Sequence, residues 1–188
     1  MTHIRLELNR LQIHRPKERW QLYFVLAADH PADREQVAVT VLPSDPIPVV
    51  PGQKNVVHFE PTGPGTEGML LLSREMPAQR EINAHLYVMH SRRSHREIGQ
   101  VLQRIEDGIG ALKLGQEAEL LGLKSPWLRI SRAALPLIGQ SLVALPDRNL
   151  GFISMFERFG REFEQETEVD REIRGGHVSV VYSWSVLS

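Results

Sequence analysis

Two hydrophobic periods divide this chain. Near the start Ile4, Leu6 and Leu8 alternate with polar neighbours, and after Asn9-Arg10 the phase shifts to Leu11 and Ile13. Period two marks a strand with one buried face, and a slip in phase is what a bulge produces. Trp20 to Ala28 (WQLYFVLAA) is apolar almost throughout, which predicts a central strand covered on both faces. Gln36 to Leu42, Lys54 to Glu60, Gly68 to Glu75 and Glu81 to Met89 follow as further strands. The segments between them, DHPADRE, PSDPIPVVPGQ and PTGPGTEG, are rich in turn residues. Short strands separated by such loops predict an antiparallel sandwich or barrel.

The middle of the chain changes period. Ser94 and Glu97 have the spacing of a capping box, and Ile98, Val101, Leu102, Ile105 and Ile109 then form one apolar stripe at helical spacing. This predicts a helix from about His95 to Asp107. Residues 111–145 carry no single pattern: GQEAELLG and AALPLIGQSLVAL each suit a short helix, and WLRIS a short strand. In NLGFISMFERFG the residues Phe152, Met155, Phe156, Phe159 and Phe163 recur at helical spacing, so a second helix is expected there, with a strand as its competitor because Gly151 and Gly160 each weaken a helix by about 1 kcal/mol. The fold class that emerges is mainly β, an antiparallel sandwich over residues 1–188 as a single domain, with a helical insertion around residues 92–145.

The end of the chain returns to period two and adds a charge pattern. Gly175-Gly176 separates two alternating runs, which predicts a hairpin closed by a two-residue turn. Val169, Ile173, Val178, Val180, Tyr182, Trp184 and Val186 then share one face. The opposite face carries Glu162, Glu164, Glu166, Glu168, Asp170 and Glu172, six carboxylates at every second position. Along a strand, neighbours in this row stand about 6.8 Å apart and repel by roughly 0.6 kcal/mol in water before screening by salt. Two readings follow. Charge on an exposed strand blocks edge-to-edge aggregation, or the row docks a basic partner or a basic segment of a second copy. The nearest basic counterpart is Arg92, Arg93 and Arg96 in HSRRSHR, where three guanidiniums beside a helix start favour an anion.

Composition narrows the classes. In 188 residues there are 22 basic and 23 acidic side chains, so a generally basic nucleic-acid binder is not expected. Cysteine is absent, which excludes disulfides, thiolate metal sites and cysteine nucleophiles. The start lacks a basic region followed by an apolar run, so no signal peptide is expected. No apolar run is long enough to span a bilayer as a helix. The default expectation is a cytoplasmic protein.

Several motifs fall on inspection. GPGTEG (Gly63 to Gly68) matches the dinucleotide pattern, but it leads into MLLLSREM, which has no helical stripe to receive a pyrophosphate. It reads as a strand-to-strand loop. His85, His90 and His95 recur every five residues, a spacing that gathers three rings on neither a helix nor a strand. IGQSLVAL lacks the second glycine of a nucleophile elbow around Ser141. The P-x-x-P spacings Pro43–Pro46 and Pro48–Pro51 read as a rigid loop. Trp20, Trp127 and Trp184 lie in apolar contexts and are assigned to packing. No metal or cofactor is expected.

Short strands around a helical stretch are similar in layout to C2-like and immunoglobulin-like sandwiches. That likeness is one of fold and fixes no function. The aspartates Asp29, Asp33, Asp45, Asp107, Asp147 and Asp170 are scattered, unlike the calcium loops of calcium-dependent C2 domains. The function expected is a non-enzymatic protein-interaction or assembly module, binding another protein or itself. The alternatives are a hydrolase-type enzyme whose groups converge only in the fold, and a domain binding anions or carbohydrate.

Overall fold

The computed structural model describes residues 2–14, 19–30, 33–49, 55–62, 65–92, 98–109, 127–143, 145–165 and 168–187. In chain order the elements are β1 (His3–Ile13), β2 (Trp20–Asp29), β3 (Gln36–Val49), β4 (Val56–His58), β5 (Met69–Glu75), β6 (Glu81–His90), α1 (Ile98–Ile109), β7 (Trp127–Ser131), α2 (Leu135–Val143), β8 (Arg148–Arg158), α3 (Glu162–Gln165), β9 (Glu168–Gly175) and β10 (Val178–Leu187). The strands form two antiparallel sheets. Sheet A runs β4-β1-β10-β9, with β5 also paired to β1, and sheet B runs β7-β3-β2-β6-β8.

The sandwich core lies between the sheets. Ile4, Leu6 and Leu8, then Leu11 and Ile13, point into it from β1, and the register shifts between Leu8 and Arg10 where the sequence changes phase. β10 adds Val178, Val180, Tyr182 and Trp184, and β2 adds Trp20, Leu22, Phe24 and Leu26. Each such side chain, fully buried, contributes about 1.5–3 kcal/mol. β2 is buried on both faces because a second core lies on the outside of sheet B. There Tyr23, Val25 and Ala27 pack with Val39, Val41 and Met89 beneath Val101, Leu102 and Ile105 of α1 and Ile138 and Leu142 of α2. The helical stretch therefore forms a third layer over one sheet. α1 and α2 meet closely: a Cβ on Gly108 would lie 2.2 Å from Ser141 Oγ.

Three sequence expectations are corrected. NLGFISMFERFG is strand β8, not a helix. Residues 43–49 are not a loop, because β3 runs on through Pro43, Pro46 and Pro48 to Val49. Among the described residues β7 pairs with β3 only from Gln36 to Thr40, and the prolines lie beyond that stretch, where β3 is paired with β2. The hairpin turn is Gly176-His177 and not Gly175-Gly176. Gly175 pairs with Val178, and Gly176 takes a positive φ of 64° at the first turn position, the conformation that favours glycine there. Pairing moves by two residues from the expected register, so every side chain keeps its predicted face. The capping box and His95 lie outside the described residues.

Candidate functional site

The predicted acidic row is divided. Only Glu168, Asp170 and Glu172 stand on one strand, β9; Glu162 and Glu164 lie on the single helical turn α3, and Glu166 is outside the described residues. The turn forms because Phe163 is buried in the sandwich core, 5.1 Å from Phe159, and strand alternation would not place it there. Glu162 is consequently drawn to Arg171, which donates from Nη2 at 2.8 Å and Nη1 at 3.1 Å. Those hydrogen bonds hold the Glu162 carboxyl below its ordinary range. Arg171 also donates from Nε to Glu157 at 3.2 Å, and Glu157 is a buried carboxylate of β8. One guanidinium thus clips the edge of sheet A to the edge of sheet B.

The three β9 carboxylates differ. Glu172 is exposed and stands 3.6 Å from Arg10. Asp170 accepts from Asn9 Nδ2 at 3.3 Å. Glu168 is half-buried. Burial, and then the carboxylates of Glu67, Glu7 and Asp170, push it above the ordinary carboxylate range, against a hydrogen bond from Ser183. Glu7 is 4% exposed and accepts from the backbone N of Glu67 at 2.7 Å and of Gly68 at 3.3 Å. Within GPGTEG the described end, Gly65 to Gly68, is therefore a loop before β5 whose amides are satisfied by the chain's own carboxylate.

Arg92 is exposed, and its backbone N donates to Asp147 at 3.4 Å, a residue that also accepts from Tyr23 Oη at 2.6 Å. Arg93 and Arg96 lie outside the described residues, as does the helix start they were expected to flank. Among the described residues no group of three or more histidines and carboxylates could hold a metal ion.

The outer face of sheet B assembles groups that the sequence reading did not relate. Phe152, Ser154 and Phe156 point outward from β8, opposite Tyr87, His85 and Asn83 of β6. Phe152 stacks on His85 at 5.5 Å and lies 5.0 Å from Tyr87. Phe152 is 44% exposed and Phe156 53%; on α2, Leu137 is 37% and Val143 74% exposed. All four exposed large hydrophobics of the described residues thus fall on β8 and α2, and α2 abuts β6, Gly139 facing Tyr87. The signal is present as aromatic content in residues 152–156, whose spacing also fits a helix.

The same face places Ser154, His85 and Asp29 on three neighbouring strands, the residue types of a nucleophile, a base and an acid. The connections are not those of a relay. Asp29 Oδ1 accepts from Arg132 at 2.6 Å and Oδ2 from Asn83 N and Nδ2 at 3.0 and 3.1 Å. His85 Nδ1 is buried with no hydrogen-bond partner, and burial pushes the imidazole below its ordinary range. In a working triad the acid holds that nitrogen.

No protein-family model matches this chain, and no curated protein matches it. A solved structure of Drosophila C2-DSL-EGF1 is similar over 99% of this chain and 67% of its own, at 6% identity and a TM-score of 0.41. A likeness of that size carries no weight for function, and the sandwich rests on the strand pairings above. No helix among the described residues is long and apolar enough to cross a membrane.

Proposed function

We propose that this protein is a non-enzymatic interaction module that docks another protein on the aromatic shelf of β8 and the adjoining side of α2. One observation carries the reading: Phe152 and Phe156 both stand exposed on the outer face of β8, and the other exposed large hydrophobics of the described residues, Leu137 and Val143, lie on α2, which packs over the same sheet. Single exposed apolar residues are ordinary on a protein surface, whereas a grouped set marks a contact surface. Aromatic rings are the side chains that supply most energy at such contacts. The shelf is rimmed by Arg158, which pairs with Glu81 at 2.6 Å, and by the Arg132–Asp29 pair, an arrangement of apolar centre and polar border.

Glu168, Asp170 and Glu172 offer a second surface, for a basic partner or a basic segment of another copy. Their internal partners, Asn9, Ser183 and Arg10, favour the simpler role of a charged edge that resists aggregation. An anion site on Arg92, Arg93 and Arg96 stays a separate proposal, tested by replacing the three with glutamine and measuring binding of phosphorylated ligands. A photo-crosslinking amino acid placed at position 156 or at position 172, in the native cell, separates the two surfaces. The shelf reading expects discrete adducts from position 156. Adducts from position 172 alone transfer the function to the acidic edge, and adducts from neither site contradict both.

A further inference from the structure

Arg74 has no place in the interaction surface and is unusual in its own right. It stands next to last in β5, opposite Ile4 of β1, with its side chain directed into the sandwich. The residue is 4% exposed. Its Nη1 crosses to sheet B and donates to the backbone carbonyl of Asp29, at the end of β2. Nε and Nη2 are buried and have no hydrogen-bond partner among the described residues. A buried donor left unpaired costs about 1–3 kcal/mol, more on a charged group, so native structures supply a partner.

The charge around Arg74 indicates what kind of partner. Among the described residues Asp29 is the charge that acts on it, and Asp29 is already committed. One of its carboxylate oxygens receives Arg132 and the other receives Asn83 twice. The Asp29 carboxylate thus pairs directly with Arg132, and Arg74 takes only the Asp29 backbone carbonyl. Burial pushes Arg74 down to about 10, yet it stays protonated at neutral pH. Water could satisfy the two donors but not the charge. An oxyanion supplies both, because two adjacent N–H groups of a guanidinium match two oxygens of a carboxylate or phosphate. β5 ends one residue beyond Arg74, and β2 ends at Asp29, so the group lies near the rim.

We infer that the rim of the sandwich formed by the ends of β2 and β5 is a binding site for a small oxyanion, a carboxylate or a phosphate, held by Nε and Nη2 of Arg74. The inference is independent of the aromatic shelf, which faces outward from sheet B.

The test uses the full chain. Thermal unfolding is followed in sodium phosphate, in sodium acetate and in sodium chloride, matched for ionic strength. The expected result is a midpoint about 2–4 °C higher in phosphate or acetate than in chloride, for millimolar anion near ten times its Kd. The arm that responds names the anion class. Arg74→Met should abolish the difference. Should that variant not fold, the Nε–H resonance of Arg74 in the unaltered protein provides the readout. It should shift saturably on titration with the active anion, while that of exposed Arg158 should not. Equal midpoints in all three salts would leave water as the partner and overturn the inference, as would an Arg74 resonance that moves no more than that of Arg158.

Discussion

The outer faces of the two sheets are built on opposite rules. Outside sheet A no helix packs among the described residues; only the loop Gly65 to Gly68 lies on it, over Arg5 and Glu7, and the strands present Arg5, Glu7, Arg10, Ser179, Ser183, Asp170 and Glu172. Outside sheet B two helices lie over Val25, Val39, Val41 and Met89, and the strands there are apolar on both faces. Cover, rather than strand position, decides what the exterior carries. A bare sheet face must be polar to stay in water, and a roofed one must be apolar to hold its roof. β8 breaks the second rule: it belongs to the roofed sheet and carries Phe152 and Phe156 on that face, but both remain exposed. That mismatch between pattern and cover is the basis for placing the partner there.

The comparison can be broken most severely where the two sheets touch. Gly175 of β9 presses on β8, and a Cβ at that position would lie 2.2 Å from the Phe152 carbonyl oxygen. Gly151 is in the same contact, 2.2 Å by the same measure from Gly175 O. Gly175→Ala should cost about 1–3 kcal/mol, seen as a lower midpoint in urea denaturation. An unchanged midpoint would mean that the two edges do not meet.

The clip at the other end of the same edges ranks next. Arg171→Met removes the partner of buried Glu157. Loss of one partner of a fully buried pair costs about 3–5 kcal/mol, and because the Arg171 side chain is about a third exposed a smaller loss, about 2 kcal/mol, is expected. Glu157→Gln in the same background should recover part of it by removing the stranded charge. No recovery would show that packing of the arginine stem, not its charge, joins the sheets.

Titration sharpens the contrast between interior and exterior. Burial, with the Glu157 charge adding to it, pushes Tyr182 up to about 12. The folded chain therefore keeps the phenol proton while the unfolded chain loses it from about pH 10. Stability should fall as pH rises from 10 toward 12, and Tyr182→Phe should flatten that decline in urea midpoints. His85 has the opposite sense: the folded state disfavours its charged form, so stability should fall as pH drops below the ordinary histidine range. His85→Gln should remove this smaller slope.

The smallest effect on stability is expected at the shelf. Phe152→Ser and Phe156→Ser change half-exposed side chains, and surface substitutions of this kind stay within about 0.5 kcal/mol. A loss much larger would identify the rings as part of the fold instead of a contact surface.

Most of the sandwich could be read from period and punctuation. The phase slip at Asn9-Arg10 is the β1 bulge, the apolar run from Trp20 is the central strand, and the stripe from Ile98 is α1. What could not be read has identifiable causes. β8 has apolar residues on both faces, so it shows no period-two contrast, and Phe152, Met155, Phe156 and Phe159 mimic a helical stripe by coincidence of spacing. The structure sends Phe152 and Phe156 outward and Met155 and Phe159 inward. The acidic alternation was a true strand signal only from Glu168 onward. Upstream, burial of Phe163 determined the backbone, and local charge pattern had no influence on it. The Arg74 site had no sequence signature, because it depends on β5 ending across the sandwich from β2.

The claim that the β8 shelf is a contact surface can be tested on the rings themselves. With fluorinated phenylalanine at all six positions, a soluble nitroxide should broaden the signals of Phe152 and Phe156 and spare Phe24, Phe59, Phe159 and Phe163. On addition of the purified partner captured from position 156, the two broadened signals should become protected. A complex that forms while Phe152 and Phe156 stay as open to the nitroxide as before would contradict the account.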